Sequence, residues 1–352
     1  MTGVDIGGVS CPVPLTDSER IQLGHGSGGK MSAALLRERF LPHLGNPYLG
    51  QLGDGAVLPL ADREIVVSTD TFVVHPLEFP GGDIGLLAVH GTLNDVAMMG
   101  ARPLYLTAGF VLEEGLPLDT LDRVVRSMAG AAREAGVPLV TGDTKVVERG
   151  KADGLFVNTT GIGLLEPGPH PAPDQARPGD LILVSGAIGR HGMAIMAARE
   201  GLAFESSIES DTACLVPLVE RLKERCGPGL VTLRDPTRGG VASALNEIAQ
   251  ASGAGMRLDE SSLLVPGNVA AACEMLGLDP LYVANEGVLV AIVRPELGDA
   301  ALAALRGHPL GRDAVLLGQV VKDHPGYVVL DTAIGGTRVV DMLPGDQLPR
   351  IC

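Results

Sequence analysis

The sequence predicts a mixed α/β (α+β) protein of two domains, on three observations. At 352 residues the chain exceeds what one core usually supports, and its 45% hydrophobic content is enough for two. Short β-branched runs alternate with segments of helical spacing. Five prolines in residues 166–180, "EPGPHPAPDQARPGD", interrupt both periodicities and divide the chain into halves of similar size.

The strand signals are "EIVVS", "LYLTAGFVL", "LFVNTTGIGLL", "DLILVSG", "VLVAIV" and "YVVLD", rich in Val, Ile, Thr and aromatic residues. Between them, "DTLDRVVRSMAGAAREA" (119–135) places Leu121, Val124, Val125 and Met128 on one helical stripe, with Gly136 as its stop. "HGMAIMAAREG", "GGVASALNEIAQASG" and "ELGDAALAALRG" follow the same pattern and also end at glycine. Helix-like stretches in the two halves share an echo, "LNDVA" at 93–97 and "LNEIA" at 245–249, as a duplicated α/β unit would. The resulting organisation is an N-terminal extension (1–20), a first domain (21–165), a Pro-rich linker (166–180), a second domain (181–343) and a tail (344–352). The tail lacks apolar periodicity and reads as a flexible arm about 30 Å long when extended.

Composition excludes several function classes. Lys+Arg 27 against Asp+Glu 42 gives a net charge of -15, the wrong sign for neutralising phosphate backbones, and 3% aromatics leave few rings for base stacking. No nucleic-acid or membrane partner is expected. The N-terminus lacks a basic and apolar signal pattern, and no apolar run reaches the length of a membrane span. The five cysteines, Cys11, Cys214, Cys226, Cys273 and Cys352, have no CxxC spacing, so neither a disulfide framework nor a zinc site is indicated. A reducing cytoplasm is the expected location.

Two clusters carry chemistry. "GHGSGGK" (24–30) fits G-x-x-x-x-G-K, but Met31 stands where a P-loop needs a hydroxyl. That leaves a glycine lid over phosphates in some other fold, or a plain flexible turn. The second cluster is a series of acids at apparent strand ends or beside glycine: Asp54, Asp70, Asp83, Asp95, Asp143 and Asp235. Each Gly-Asp alone is usually a turn, but acids from separate loops could together make a platform for a divalent cation and a triphosphate. Lys145 and Glu286 are single charges beside these motifs. His25, His90 and His191 show no spacing for a metal triad. The last residue, Cys352, places a thiol beside the terminal carboxylate.

Read in order, "GHGSGGK", "GDGA", "STDTFVV", "GDIGLLAVHGTLNDVAMMGA", "GDTKVV", "IGRHGMAI", "DPTRGGVASALNEIA", "NEG" and the terminal "PRIC" resemble the HypE family of hydrogenase maturation factors, from about residue 21 to residue 352. The resemblance implies the two-domain fold of the aminoimidazole ribonucleotide synthetase (PurM-like) superfamily. It also implies a homodimer built around a sheet barrel, ATP and Mg²⁺ as cofactors, and as partners a HypF carbamoyltransferase and a HypC-HypD complex. The implied reaction is ATP-dependent dehydration of S-carbamoylated Cys352 to a thiocyanate, the source of cyanide for iron in [NiFe]-hydrogenase.

The resemblance assigns nucleotide contacts to Gly26, Ser27, Gly28, Gly29, Asp54, Asp70, Asp83, Asn94, Asp95, Asp143 and Asp235, and metal ligation to Asp54, Asp70, Asp95 and Asp143. Cys352 becomes the carrier, Glu286 the acceptor of a proton from nitrogen, and Lys145 the group that orients or stabilises the developing anion. Two other readings are a selenophosphate synthetase or small-molecule kinase of the same superfamily, and a non-catalytic assembly scaffold. Absence of a cysteine from "GHGSGGK" opposes the synthetase, and the acids oppose the scaffold.

Overall fold

Two sheets organise the chain, seen in a computed structural model that describes residues 29–352 apart from 45, 202–206, 344, 346–347 and 349. The first contains β1 (Ala56–Leu60), β2 (Arg63–Phe72), β3 (Arg102–Glu113), β4 (Leu139–Val147) and β5 (Leu155–Leu165), in the order β1-β2-β5-β3-β4. Its pairs are antiparallel except β3 with β4. Helix α1 (Ile84–Met98) joins β2 to β3, and α2 (Leu118–Glu134) makes the crossover that the parallel pair requires.

Helix α1 is buried almost all round, because it packs on β2, β3 and β5 and also contacts the second half of the chain. Its close seat on β5 depends on glycine. A Cβ at Gly163 would come within 2.4 Å of Val96 Cγ1, and one at Gly161 within 2.8 Å of Val96 Cγ2. The predicted stripe of α2 is partly displaced: Val124 and Met128 are buried with Ala131 and Ala132, while Val125 faces out. The opposite face of the first sheet has little cover, and β4 is exposed along almost its whole length.

The second sheet contains β6 (Leu181–Val184), β7 (Leu230–Arg234), β8 (Gly255–Asp259), β9 (Val290–Val293), β10 (Val315–Val321), β11 (Val328–Asp331) and β12 (Thr337–Val340), in the order β12-β11-β8-β10-β6-β9-β7. Successive residues of β6 face opposite cores. Ile182 and Val184 meet α5 (Gly240–Ser252), whereas Leu183 meets α4 (Val216–Cys226) and α7 (Gly298–Arg306). Burial on both faces is why "DLILVSG" and "VLVAIV" are continuous apolar runs instead of alternating ones. Helices α3 (Arg190–Glu200) and α6 (Gly267–Leu276) lie on the side of the first half, sharing a core with Leu87, Leu93 and Phe72. Residues 166–180 run beside β7, where Ala172 N donates to Val231 O at 3.0 Å and Thr232 Oγ1 to Ala172 O at 2.8 Å.

The described end of the chain differs from the extended arm expected of it. Leu348 and Ile351 are buried in the shared core, and Cys352 is half-buried. Its backbone runs beside residues 73–75: Val73 N donates to Cys352 O at 3.0 Å and His75 N to Arg350 O at 3.3 Å. Two apolar anchors, each worth about 1.5–3 kcal/mol on burial, outweigh the missing periodicity that suggested an arm.

Candidate active site

A cavity of about 210 Å³ opens where α1 and the end of β2 meet the turn between β7 and α5. Six acids line it, Asp54, Asp70, Asp95, Asp235, Glu247 and Glu286, together with Arg234, Arg238 and Cys352. The echo between "LNDVA" and "LNEIA" has a structural counterpart here, because α1 supplies Asp95 and α5 supplies Glu247 to the same cavity. Glycine shapes the entry to α5. Gly240 has φ +61°, and a Cβ there would lie 2.4 Å from Leu281 O.

Asp54, Asp95 and Asp235 each place a carboxylate oxygen within 4.8 Å of the others. Ser68 Oγ lies 2.7 Å from Asp95 Oδ2 and 2.8 Å from Asp54 O, and Arg234 Nη1 lies 2.6 Å from Asp54 Oδ1. Arg234 also pairs with Glu247. Burial dominates the electrostatics. It raises Asp54 to about 6 against the opposing charge of Arg234. Asp235 is pushed up to about 7 by burial and then by Asp54. Asp95 is held well above the carboxylate range by burial, then by Asp235, Asp70 and Asp54. Glu286 is likewise well above it through burial, Asp235, Asp70 and Asp211, with Arg238 opposing. Asp70 is raised by burial, again opposed by Arg238. Buried like charges this close need protons or a cation, and three convergent carboxylate oxygens form a donor set that fits a hard divalent ion.

Other expected site residues lie elsewhere. Asp83 caps α1: its Oδ1 accepts from Gly85 N at 2.7 Å, Leu86 N at 3.0 Å and Ser127 Oγ at 2.6 Å. Asn94 is an internal tie, donating from Nδ2 to Ala213 O at 3.0 Å and accepting at Oδ1 from Leu215 N at 2.7 Å. Asp143 and Lys145 pair with each other at 2.5 Å, both exposed on β4, outside the cavity of their own chain. Among the described residues the convergent carboxylates are those of Asp54, Asp95 and Asp235, while Asp143 lies on β4, the outer strand of the first sheet. Gly26, Ser27 and Gly28 lie outside the described residues. Gly29 is buried ahead of a short helix, and Lys30 pairs with Asp341.

Several residues went unrecognised in the sequence. Arg238 sits inside the quoted "DPTRGG", three residues after Asp235. His191, set aside for lack of a metal partner, holds the tail: Nε2 donates to Ile351 O at 2.6 Å, and Nδ1 faces Ser210 Oγ at 2.8 Å. Arg199 donates to Arg350 O at 2.7 Å, and Arg350 pairs with Asp153 at 2.7 Å.

The fold and this cavity define a two-domain protein of the AIR synthase related class. The model of the AIR synthase related protein N-terminal domain matches residues 52–165, and that of the C-terminal domain matches 177–331. Carbamoyl dehydratase HypE of Cupriavidus necator is 57% identical over 336 residues, covering 95% of each chain. A solved HypE-HypF complex contains a chain 47% identical with TM-score 0.84, covering 88% of this chain and all of its own. A HypE structure in complex with ATP is 52% identical with TM-score 0.80, covering 93% of this chain and 98% of its own. The chain belongs to the carbamoyl dehydratase HypE family.

Proposed function

We propose that the chain dehydrates its own S-carbamoylated Cys352 to a thiocyanate at the expense of ATP, and so supplies cyanide for the iron of [NiFe]-hydrogenase. The observation that carries this reading is the placement of Cys352 in the wall of the acidic cavity, beside Glu286 and Arg238. At about 210 Å³ the cavity is smaller than the roughly 300–1,000 Å³ of a pocket for a whole small molecule. It suits the phosphate end of a nucleotide meeting the tail.

The carbamoyl oxygen is a poor leaving group until phosphorylated. Attack of that oxygen on the γ-phosphorus forms an O–P bond and releases ADP. Loss of phosphate then breaks the C–O bond while both N–H protons depart, leaving S–C≡N. Glu286 takes one of these protons. Burial raises its affinity for a proton, which suits removal from a weakly acidic N–H. Arg238 faces the charge of Cys352 and of the neighbouring acids. A Mg²⁺ ion held by Asp54, Asp95 and Asp235, with Asp70 at hand, would offset phosphate charge during transfer.

Lys145 and Asp143 join this chemistry only if a second copy supplies them. The face of the first sheet away from α1, where the register places exposed Val111 with Asp143 and Lys145, is suited to a homodimer contact. A HypF-type carbamoyltransferase would load the thiol and a HypC-HypD complex would receive the cyanide. A cytoplasmic setting is consistent with Cys214, Cys226 and Cys273 remaining thiols, and among the described residues no helix is long and apolar enough to cross a membrane. Intact-protein mass spectrometry tests the reading, using a HypF-type partner, carbamoyl phosphate and ATP. The expected result is the gain of one carbamoyl group and then the loss of one water, both mapped to Cys352. Loading that persists in Cys352→Ala would refute it.

A further inference from the structure

Helix α5 turns one face to the acidic cavity. Gly240, Ser243, Ala244 and Glu247 line the cavity at helical spacing, while Val241, Leu245 and Ile248 pack into the core behind them. Glu247 is accounted for by its pair with Arg234. Two features of the same face are not accounted for by the acids.

The first is the start of the helix. Its N-cap is Gly239, which has no side chain to accept from the first N–H groups. The partial positive charge at the head of this 13-residue helix is therefore offered to the cavity without a side-chain cap. The second is Ser243. It is 2% exposed, and its Oγ has no hydrogen-bond partner among the described residues. The other buried serines and threonines each have one. A buried hydroxyl without a partner is a cost to the fold, and alanine, which stands at 242 and 244, would fill the position without it. The hydroxyl is explained by a ligand that enters the cavity and takes up the hydrogen bond.

We propose that the first turn of α5 and the Ser243 hydroxyl form the seat of a phosphate, the group that departs from the phosphorylated carbamoyl oxygen. Both are donors, and a tetrahedral oxyanion carries enough acceptor oxygens to satisfy them together. A neutral amide would make no use of the helix charge, and a cation would be repelled by it. The acids of the cavity admit phosphate only alongside a divalent ion, for which Asp54, Asp95 and Asp235 are the donor set. Donors fixed in advance at the departing group favour C–O cleavage, since charge grows on that group as the bond breaks. Ser243 is on this view a binding residue for the leaving group. The inference deepens the dehydratase reading and rests on it for the source of the phosphate, but the seat itself is tested with inorganic phosphate.

The full chain, with Mg²⁺ and ADP, is titrated with radiolabelled inorganic phosphate by equilibrium dialysis. Ser243→Ala should bind phosphate roughly tenfold more weakly than wild type, the scale of one hydrogen bond to a charged group, and should bind ADP equally well. Thermal unfolding separates this from a structural role. Without ligand the variant should unfold at the wild-type temperature or above it, because no bond within the protein is lost, and it should gain less from phosphate with Mg²⁺. A wild type that binds no phosphate, or a variant that binds it as tightly as wild type, would overturn the proposal. So would a variant that unfolds earlier without ligand, which would make the hydroxyl an internal tie, or one that loses ADP to the same degree, which would assign it to the nucleotide. Phosphate affinity that depends on Ser243 in a chain that never loses water at Cys352 would reject the dehydratase reading and leave the seat standing.

Discussion

Asp235→Asn separates the stability of the cavity from its use. Asp235 is shifted from 3.8 to about 7, mainly by burial and then by the charge of Asp54. At 1.36 kcal/mol per pH unit, its ionised form is disfavoured by about 4 kcal/mol near neutrality in the absence of a cation. The sign follows from linkage. A raised carboxylate contributes nothing unfavourable below about pH 4, where it is protonated folded and unfolded, and the folded state loses stability as pH rises through about 7. Asparagine removes the charge but still needs hydrogen-bond partners, so the net gain expected for the cation-free protein is on the order of 2 kcal/mol. The same substitution breaks the oxygen triad with Asp54 and Asp95. Thermal unfolding at pH 8 with EDTA and with Mg²⁺ measures both effects. Wild type should gain stability with Mg²⁺, whereas the variant should unfold at higher temperature in EDTA and gain little from Mg²⁺. Such opposition between stability and use is expected where like charges are crowded for function. A variant that is less stable in EDTA and retains the full Mg²⁺ shift would refute the reasoning.

Other outcomes follow from the same geometry. Glu286→Gln should load the carbamoyl group normally but lose water roughly 100-fold more slowly, by quenched mass spectrometry; an unchanged rate removes Glu286 from the step. Asp83→Ala, which deletes the cap of α1, should cost about 1–2 kcal/mol in denaturant unfolding and leave ATP affinity intact, since Asp83 lies outside the cavity. Burial lowers His90 and His191 to about 4, so both are neutral when folded. Their contribution is present above pH 6.5 and lost as pH falls toward 4, the opposite of Asp235. His191→Gln should therefore flatten the acid limb of the stability curve, and an unaltered limb would exclude His191 as a contributor.

The sequence by itself determined the class of fold and the chemical inventory. Continuous runs such as "DLILVSG" exist because a strand covered on both faces has no polar side, and glycines at helix ends mark turns from local geometry alone. The motif order and the terminal cysteine were equally local, and they sufficed for the family. Tertiary structure decided which acids share a cavity. Asp54, Asp95 and Asp235 come from a loop, a helix and a turn far apart in the chain. Asp83 and Asp143 carry the same local signal and lie elsewhere, because a Gly-Asp pair reads alike as a helix cap, a turn or a ligand. The seat of the tail was not legible for a related reason. Its anchors, Leu348 and Ile351, show no period, and the groove that buries them is assembled from α3, α6 and the segment after β2. Burial and mutual charge depend on distances between remote residues, and these exist only once the chain has folded.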